Sequence, residues 1–252
     1  MRKEVELSAR LKALADMVTP GNRVCDVGCD HGFLSIYLVQ QGISPGVIAM
    51  DVRSGPLSRC AEHVAQYGLE EYIDMRLSDG LTALQPGEAD TMICAGMGGR
   101  LMQKILTEGR EVAAGFKELI LQPQSELMAF REFLRKQGYR TVEENMIEEE
   151  GKYYPMMRVV PERQEASDGS PEVGDSLYDR FGRLLLAGQN PVLYDYLIYR
   201  SKVLESIRKN IMMEKKEEQT VSSNAGERLK EIEKELQDID SAFAFYEGRC
   251  RQ

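Results

Sequence analysis

Apolar residues fall in short unbroken runs through the first part of the chain and in helical stripes through the last part. Runs at 23–27, 47–51, 72–77, 90–95 and 118–121 predict strands buried on both faces. Patterns of helical period at 33–41, 56–67, 100–107 and 126–137 alternate with them, and Leu7, Leu11, Leu14 and Met17 set a first helix at the N-terminus. Strands alternating with helices predict a parallel sheet covered on both sides. After 137 the pattern changes to two extended segments about Gly151, an expected antiparallel hairpin at the sheet edge, where Pro155 is tolerated.

The stretch from 161 to 175 is rich in Pro, Gly and Ser without periodicity and reads as a linker or surface loop. Beyond it the stripes are purely helical. Leu229, Ile232, Leu236, Ile239, Phe243 and Tyr246 step by 3 and 4, and Leu193, Leu197, Leu204, Ile207 and Ile211 form a second stripe interrupted by Arg200. Two antiparallel helices with a coiled-coil seam are the economical reading, and so short a seam can close within one chain, so a monomer is expected. The expected organisation is an α/β Rossmann-like domain at 1–160, mostly parallel with an antiparallel edge hairpin, then a linker and C-terminal helical coiled-coil domain at 161–252.

Composition narrows the chemistry. The chain has 42% hydrophobic and 29% charged residues, and no apolar run reaches the length of a membrane span. The first residues carry Glu4, Glu6 and Asp16 and lack a continuous apolar core, so they do not read as a signal peptide; a cytoplasmic protein is expected. Five cysteines without C-x-x-C pairs read as buried small hydrophobes. Only two histidines occur, without ligand spacing, and there is no G-x-S-x-G elbow, so neither zinc nor a serine hydrolase is expected. His31 is the histidine expected near a site. Net charge is −9, yet from 180 to 216 eight cations face three acids, a local +5 compatible with a solvated helix face or with phosphate contacts.

The stretch Val24 to Leu38, VCDVGCDHGFLSIYL, opens like a nucleotide-binding unit, but Asp30 stands where G-x-G-x-x-G has its second glycine. Ligands of open α/β sheets sit at the carboxyl ends of the strands. Those ends carry Asp26 with Gly28, then Asp51, then Asp79 with Gly80, then Ala95, Gly96, Met97, Gly98 and Gly99. A dinucleotide would bring a pyrophosphate to an acidic loop. S-adenosylmethionine brings an ammonium, a sulfonium and ribose hydroxyls, and so fits carboxylates. Asp26 and Asp30 are the expected partners of its cationic end. Asp51, 23 residues after Gly28, would take both ribose hydroxyls and Asp79 the adenine amino group. Gly28 and Gly32 would let the backbone approach the ligand. His31, Gly80 and Ala95 complete the cofactor side.

These blocks, with VIAMDVRSGPL, RLSDGL, DTMICAGMGG and LILQPQ, resemble class I methyltransferases, and more narrowly the TrmK-type bacterial tRNA (adenine-N1)-methyltransferases that act on adenosine-22. The likeness spans nearly the whole chain. It implies tRNA as partner and N1 of adenine as acceptor. The (Asn/Asp)-Pro-Pro-(Tyr/Phe) turn common in amino-nitrogen methyltransferases is absent after the fourth strand. Gly96, Met97, Gly98 and Gly99 are therefore expected to floor the base pocket, with backbone carbonyls accepting from the base's amino group. Gln122 would add an amide contact, Asp30 or His31 would shape the mouth, and Asp30 would stabilise the cationic product. Arg180, Arg183, Arg200, Lys202, Arg208 and Lys209 are the expected phosphate contacts of the helical domain, with Arg10, Arg100 and Lys104 near the cleft. A methyltransferase for a small molecule or protein, and a non-enzymatic domain recruiting a partner, stay open beside this reading.

Overall fold

The computed structural model describes residues 4–162, 176–217 and 223–247. The chain divides into two compact units, Met1–Gly174 and Asp175–Gln252. The stretch read as a linker lies, from 163 onward, outside the described residues, as does Cys250.

In the first unit the elements run α1 (Ala9–Asp16), β1 (Val24–Val27), α2 (Phe33–Gln40), β2 (Val47–Asp51), α3 (Ser54–Tyr67), β3 (Ile73–Leu77), β4 (Thr91–Met97), α4 (Gly99–Glu108), α5 (Arg110–Ala113), β5 (Glu118–Pro123), α6 (Leu127–Lys136), β6 (Tyr139–Glu149) and β7 (Lys152–Pro161). The sheet order is β3-β2-β1-β4-β5-β7-β6. The first five strands are parallel, while β7 runs antiparallel to β5 and β6 to β7. The apolar runs were continuous because alternate residues feed two cores. Val24, Val47, Ala49, Ile93 and Ile120 join one with α1, α2 and α3. Cys25, Ile48, Met50, Met92, Cys94 and Leu121 join the other with α4 and α6.

Three expectations shift. The first helix is shorter than its apolar stripe, because Ser8 caps it, its hydroxyl accepting from Leu11 N, and Leu7 packs from outside the helix. β4 runs on to Met97, through a break in register between Ala95 and Met97, so the glycine turn starts inside the strand. The hairpin turns at Glu150 and Gly151, φ +53° and +74°, as a two-residue connection between antiparallel strands requires. Its edge strand, however, is β6; Pro155 is tolerated in β7 because β5 pairs only with Met157, Arg158 and Val159, so the sheet has already ended on that side.

The second unit comprises α7 (Ser176–Phe181), α8 (Arg183–Ala187), α9 (Pro191–Glu217) and α10 (Ser223–Phe243). The short α7 and α8 were not anticipated. Asn190 caps α9, its carboxamide oxygen accepting from Val192 N and Leu193 N, with Pro191 at the first helical position. α9 and α10 run antiparallel: Tyr246 Oη donates to Asn190 O, Tyr194 meets Phe243, and Arg200 meets Glu235. Leu193, Leu197, Leu204, Leu229, Ile232, Leu236 and Ile239 are all buried.

Candidate functional site

The strand order reverses between β1 and β4, which opens a crevice beyond their carboxyl ends. The loop after β1 enters it through Gly28, Asp30 and Gly32, all with positive φ (+79°, +47°, +73°). Gly28 N and Cys29 N both donate to Met50 O, which ties the loop to the next strand. The two glycines were expected to make room for a ligand. In the structure their missing Cβ atoms make room for protein: a side chain at Gly28 would strike the Met97 methyl, and one at Gly32 the Cys60 sulfur.

Asp26 and Asp51 stand at this crevice, buried, and Asp79 does not share their burial. Asp26 is 5% exposed, and among the described residues its only polar partner is Ser35, whose hydroxyl donates to Oδ2 at 2.7 Å. Burial pushes its carboxyl up to about 6 against the pull of the Ser35 hydrogen bond, and the nearby Asp51 charge adds to the rise. Asp51 Oδ1 accepts from Arg53 N at 2.8 Å, leaving Oδ2 to accept from another donor. Val52, the residue after it, and Leu77, its partner in register on β3, stand 58% and 59% exposed, an apolar pair that composition gave no reason to single out. Ser78 N donates to Asp51 O, so β3 ends against the same carboxylate residue. Asp79 is an exposed carboxylate 3.9 Å from Lys104 Nζ. Gly80 takes φ +59° in that turn, its carbonyl accepting from the Ser78 hydroxyl.

Asp30 is a non-glycine residue in left-handed backbone, a conformation that persists where the surroundings enforce it. Its carboxylate lies 3.6 Å from His31 Nε2 and 3.7 Å from Arg59 Nη2. His31 also has a neighbour that its spacing in the chain conceals. His63, from α3, places Nδ1 2.9 Å from His31 O, so that nitrogen carries the proton, and its ring stacks on Phe33 with centroids 4.5 Å apart. Both histidines, not His31 alone, thus stand at the loop, His63 reaching it from α3.

Across the crevice, Gly96 has φ +77° at the break in β4, and its N–H donates to Gln122 Oε1 at 3.2 Å. Gln122 is fully buried, and Arg10 Nη1 donates to the same oxygen at 3.1 Å. The guanidinium of Arg10 also lies 5.3 Å from the Tyr154 ring centre. Gln122 therefore braces the glycine turn from behind instead of offering its amide to a ligand, and Arg10 serves the same brace instead of reaching outward to phosphate. Of the expected carbonyl acceptors, Met97 O already accepts from Gln124 N and Gly98 O from Met102 N. Gly98 has ordinary φ, and a Cβ there would sit 3.0 Å from the Ser125 hydroxyl; at Gly99 it would sit 2.6 Å from the Ser125 backbone oxygen. The tight junction with α4 is therefore at Gly99.

The arrangement suits a ligand with a cationic end, vicinal hydroxyls and an aromatic ring. A buried carboxylate facing no cationic side chain among the described residues needs such a partner. Residues 7–157 match the methyltransferase-domain family. The curated tRNA (adenine(22)-N(1))-methyltransferase of Bacillus subtilis is 36% identical over 167 residues, 66% of this chain and 70% of the relative. The crystal structure of the B. subtilis m1A22 tRNA methyltransferase TrmK superposes with a TM-score of 0.81 at 30% identity, covering 95% of this chain and 99% of that one. The chain belongs to the TrmK-type methyltransferases. A Streptococcus pneumoniae putative tRNA (m1A22) methyltransferase, 29% identical with a TM-score of 0.78 over 94% of this chain and 99% of its own, has been solved in complex with S-adenosyl-L-methionine.

On this TrmK-type methyltransferase the expected RNA contacts separate into two groups. Arg180 is held by Asp238 and Glu235, and Arg200 by Glu235 at 2.6 Å, so both tie helices of the second unit together. That explains the gap in the apolar stripe at Arg200: its partner stands on the facing helix. Arg183, Lys202 and Lys209 are exposed, and Arg208 pairs with Glu205 along α9. In the first unit Arg100 pairs with Glu126 at 3.0 Å with its side chain almost wholly in solvent, and Lys104 bridges toward Asp79 and Glu108. Cys25, Cys29, Cys60 and Cys94 are buried thiols. Among the described residues there is no cluster of metal-ligating side chains, and no helix is long and apolar enough to cross a membrane.

Proposed function

We infer that this chain methylates N1 of adenine at position 22 of tRNA with S-adenosylmethionine as donor, acting in the cytoplasm as a single chain. The observation that carries the reading is Asp26: a buried carboxylate with a hydroxyl for its only partner among the described residues, at the end of β1, in a crevice closed on its other side by a glycine turn. The likeness to the B. subtilis and S. pneumoniae enzymes supports the substrate and the atom.

When bound, the donor supplies an electrophilic methyl on a sulfonium centre. Asp26 would hold its cationic end, with Asp30 at the mouth beside His31. Asp51 Oδ2 would accept from the ribose hydroxyls, and Val52 and Leu77 would cover the faces of its adenine, with Asp79 and Gly80 at the rim. Ala95, Gly96 and Met97 would lie under the transfer point. Adenine N1 carries an in-plane lone pair and no proton, so no residue here has to act as a base; the chain's task is orientation and exclusion of water. The product base is cationic, and the Asp30 carboxylate suits it. Access to N1 requires the nucleotide to leave its stack. Lys202 and Lys209 offer the exposed positive charge for phosphates, with Arg183, Arg208, Arg100 and Lys104 as further cations.

The test is nucleoside mass spectrometry of unmodified tRNA incubated with the full chain and S-adenosylmethionine. 1-Methyladenosine at position 22 is expected. Methyl transfer to metabolites or protein in its place would overturn the assignment.

A further inference from the structure

Between β5 and α6 the chain folds back over the glycine turn. Gln124 N donates to Met97 O at 2.8 Å and Gly99 N to Ser125 O at 3.2 Å, so this loop is fastened to the turn at two points. The fastening aims the Gln124 side chain at Gly96: its Nε2 lies 3.8 Å from the position a Cβ would occupy there, beside Arg10 Nη1 at 4.0 Å. Its neighbours are committed elsewhere. Gln122 is buried behind Gly96, Arg10 is held by Gln122 and Tyr154, and Ser125 donates to Glu126, which pairs with Arg100. The Gln124 carboxamide is exposed and, among the described residues, engages no other side chain. It is the donor–acceptor pair left at the pocket floor.

We propose that Gln124 selects the base: its Oε1 accepts from the adenine N6 amino group and its Nε2 donates to N7. This rests on the tRNA reading above and names the side chain that makes that site specific for adenine. A carboxamide matches the amino–N7 edge of adenine with two parallel hydrogen bonds. Guanine offers two acceptors on the same edge, so Nε2 finds a partner and Oε1 does not. Holding N6 and N7 engages the Hoogsteen edge and leaves N1, on the adjoining Watson–Crick edge, unbonded and open to the crevice. It also answers the need created by the glycine turn, where Met97 O and Gly98 O are already engaged within the protein.

The experiment uses the full chain with tRNA carrying adenosine or 7-deazaadenosine at position 22, and compares wild type, Gln124→Ala and Gln124→Glu by kcat/KM. Relative to Gln124→Ala, wild type is expected to lose about tenfold when N7 becomes a carbon. Gln124→Ala should lose about 5- to 150-fold on adenosine and show on 7-deazaadenosine only the change intrinsic to the altered ring. Gln124→Glu, whose carboxylate opposes N7, should recover activity on the 7-deaza substrate relative to adenosine. The changed basicity of N1 in 7-deazaadenosine is common to all three enzymes and cancels in the comparison. An Ala variant whose ratio of activity on adenosine to that on 7-deazaadenosine equals the ratio for wild type overturns the assignment while leaving the tRNA reading intact. Absence of transfer to either tRNA by wild type overturns both.

Discussion

Replacing Asp26 by Asn separates a carboxylate kept for a ligand from one kept for the fold. Asn has the same shape, and its oxygen can still accept from the Ser35 hydroxyl, 2.7 Å away. What it removes is a charge in a site that is 5% exposed and whose carboxyl is pushed up to about 6 from 3.8. Below the unfolded value both states are protonated and nothing is lost. Between 3.8 and about 6 the unfolded state ionises while the buried carboxyl keeps its proton, so stability falls across this window and levels off above it. The difference amounts to about 3 kcal/mol at pH 7 and about half of that at pH 5. Without ligand, Asp26→Asn should therefore be more stable than wild type at pH 7 by about 1–3 kcal/mol, roughly 2–10 °C in Tm. The gain should shrink toward pH 5. Affinity for S-adenosylmethionine should move the other way, falling at least tenfold in the variant, and falling in wild type as pH drops below 6. Thermal unfolding at pH 5, 6, 7 and 8, with calorimetric titration of the donor, measures both. A variant less stable than wild type at every pH would mean that Asp26 serves the fold alone.

The glycine turn has a similar contrast: Gly99→Ala should lower stability by about 1–3 kcal/mol because its Cβ meets a backbone oxygen, whereas Gly98→Ala meets a hydroxyl that can rotate and should keep a near-normal Tm. Equal losses would refute that placement of the tight junction. In the second unit, Glu235→Gln should destabilise the helices by about 1–3 kcal/mol, since it strips a charge from Arg200 and Arg180 together. Lys202→Ala and Lys209→Ala should leave stability within about 0.5 kcal/mol yet each reduce the salt dependence of tRNA affinity by about 0.7–0.9 in the log–log slope. An unchanged slope in filter binding across a salt series would remove them from the interface.

The strand runs, the glycine turn and the aspartates at the ends of β1 and β2 were legible in the residues because burial on both faces and positive φ are local demands. A strand sandwiched between helices must be apolar at consecutive positions, and Gly28 or Gly96 must lack a side chain whatever lies opposite. The interrupted stripe at Arg200 was legible as an interruption and no more. Its explanation, Glu235, lies 35 residues away on the facing helix.

Tertiary structure alone decided which polar groups face a ligand and which face one another. Gln122 and Arg10 look like contact residues in the sequence, yet they meet across 112 positions to hold the glycine turn from within. His63 reaches the loop of His31 from α3, and Gln124 reaches Gly96 only because β5 lies beside β4. Periodicity reports which face of an element is covered, a property of each short segment. Hydrogen-bond partners depend on the order in which the strands line up, and that is settled by the whole chain at once.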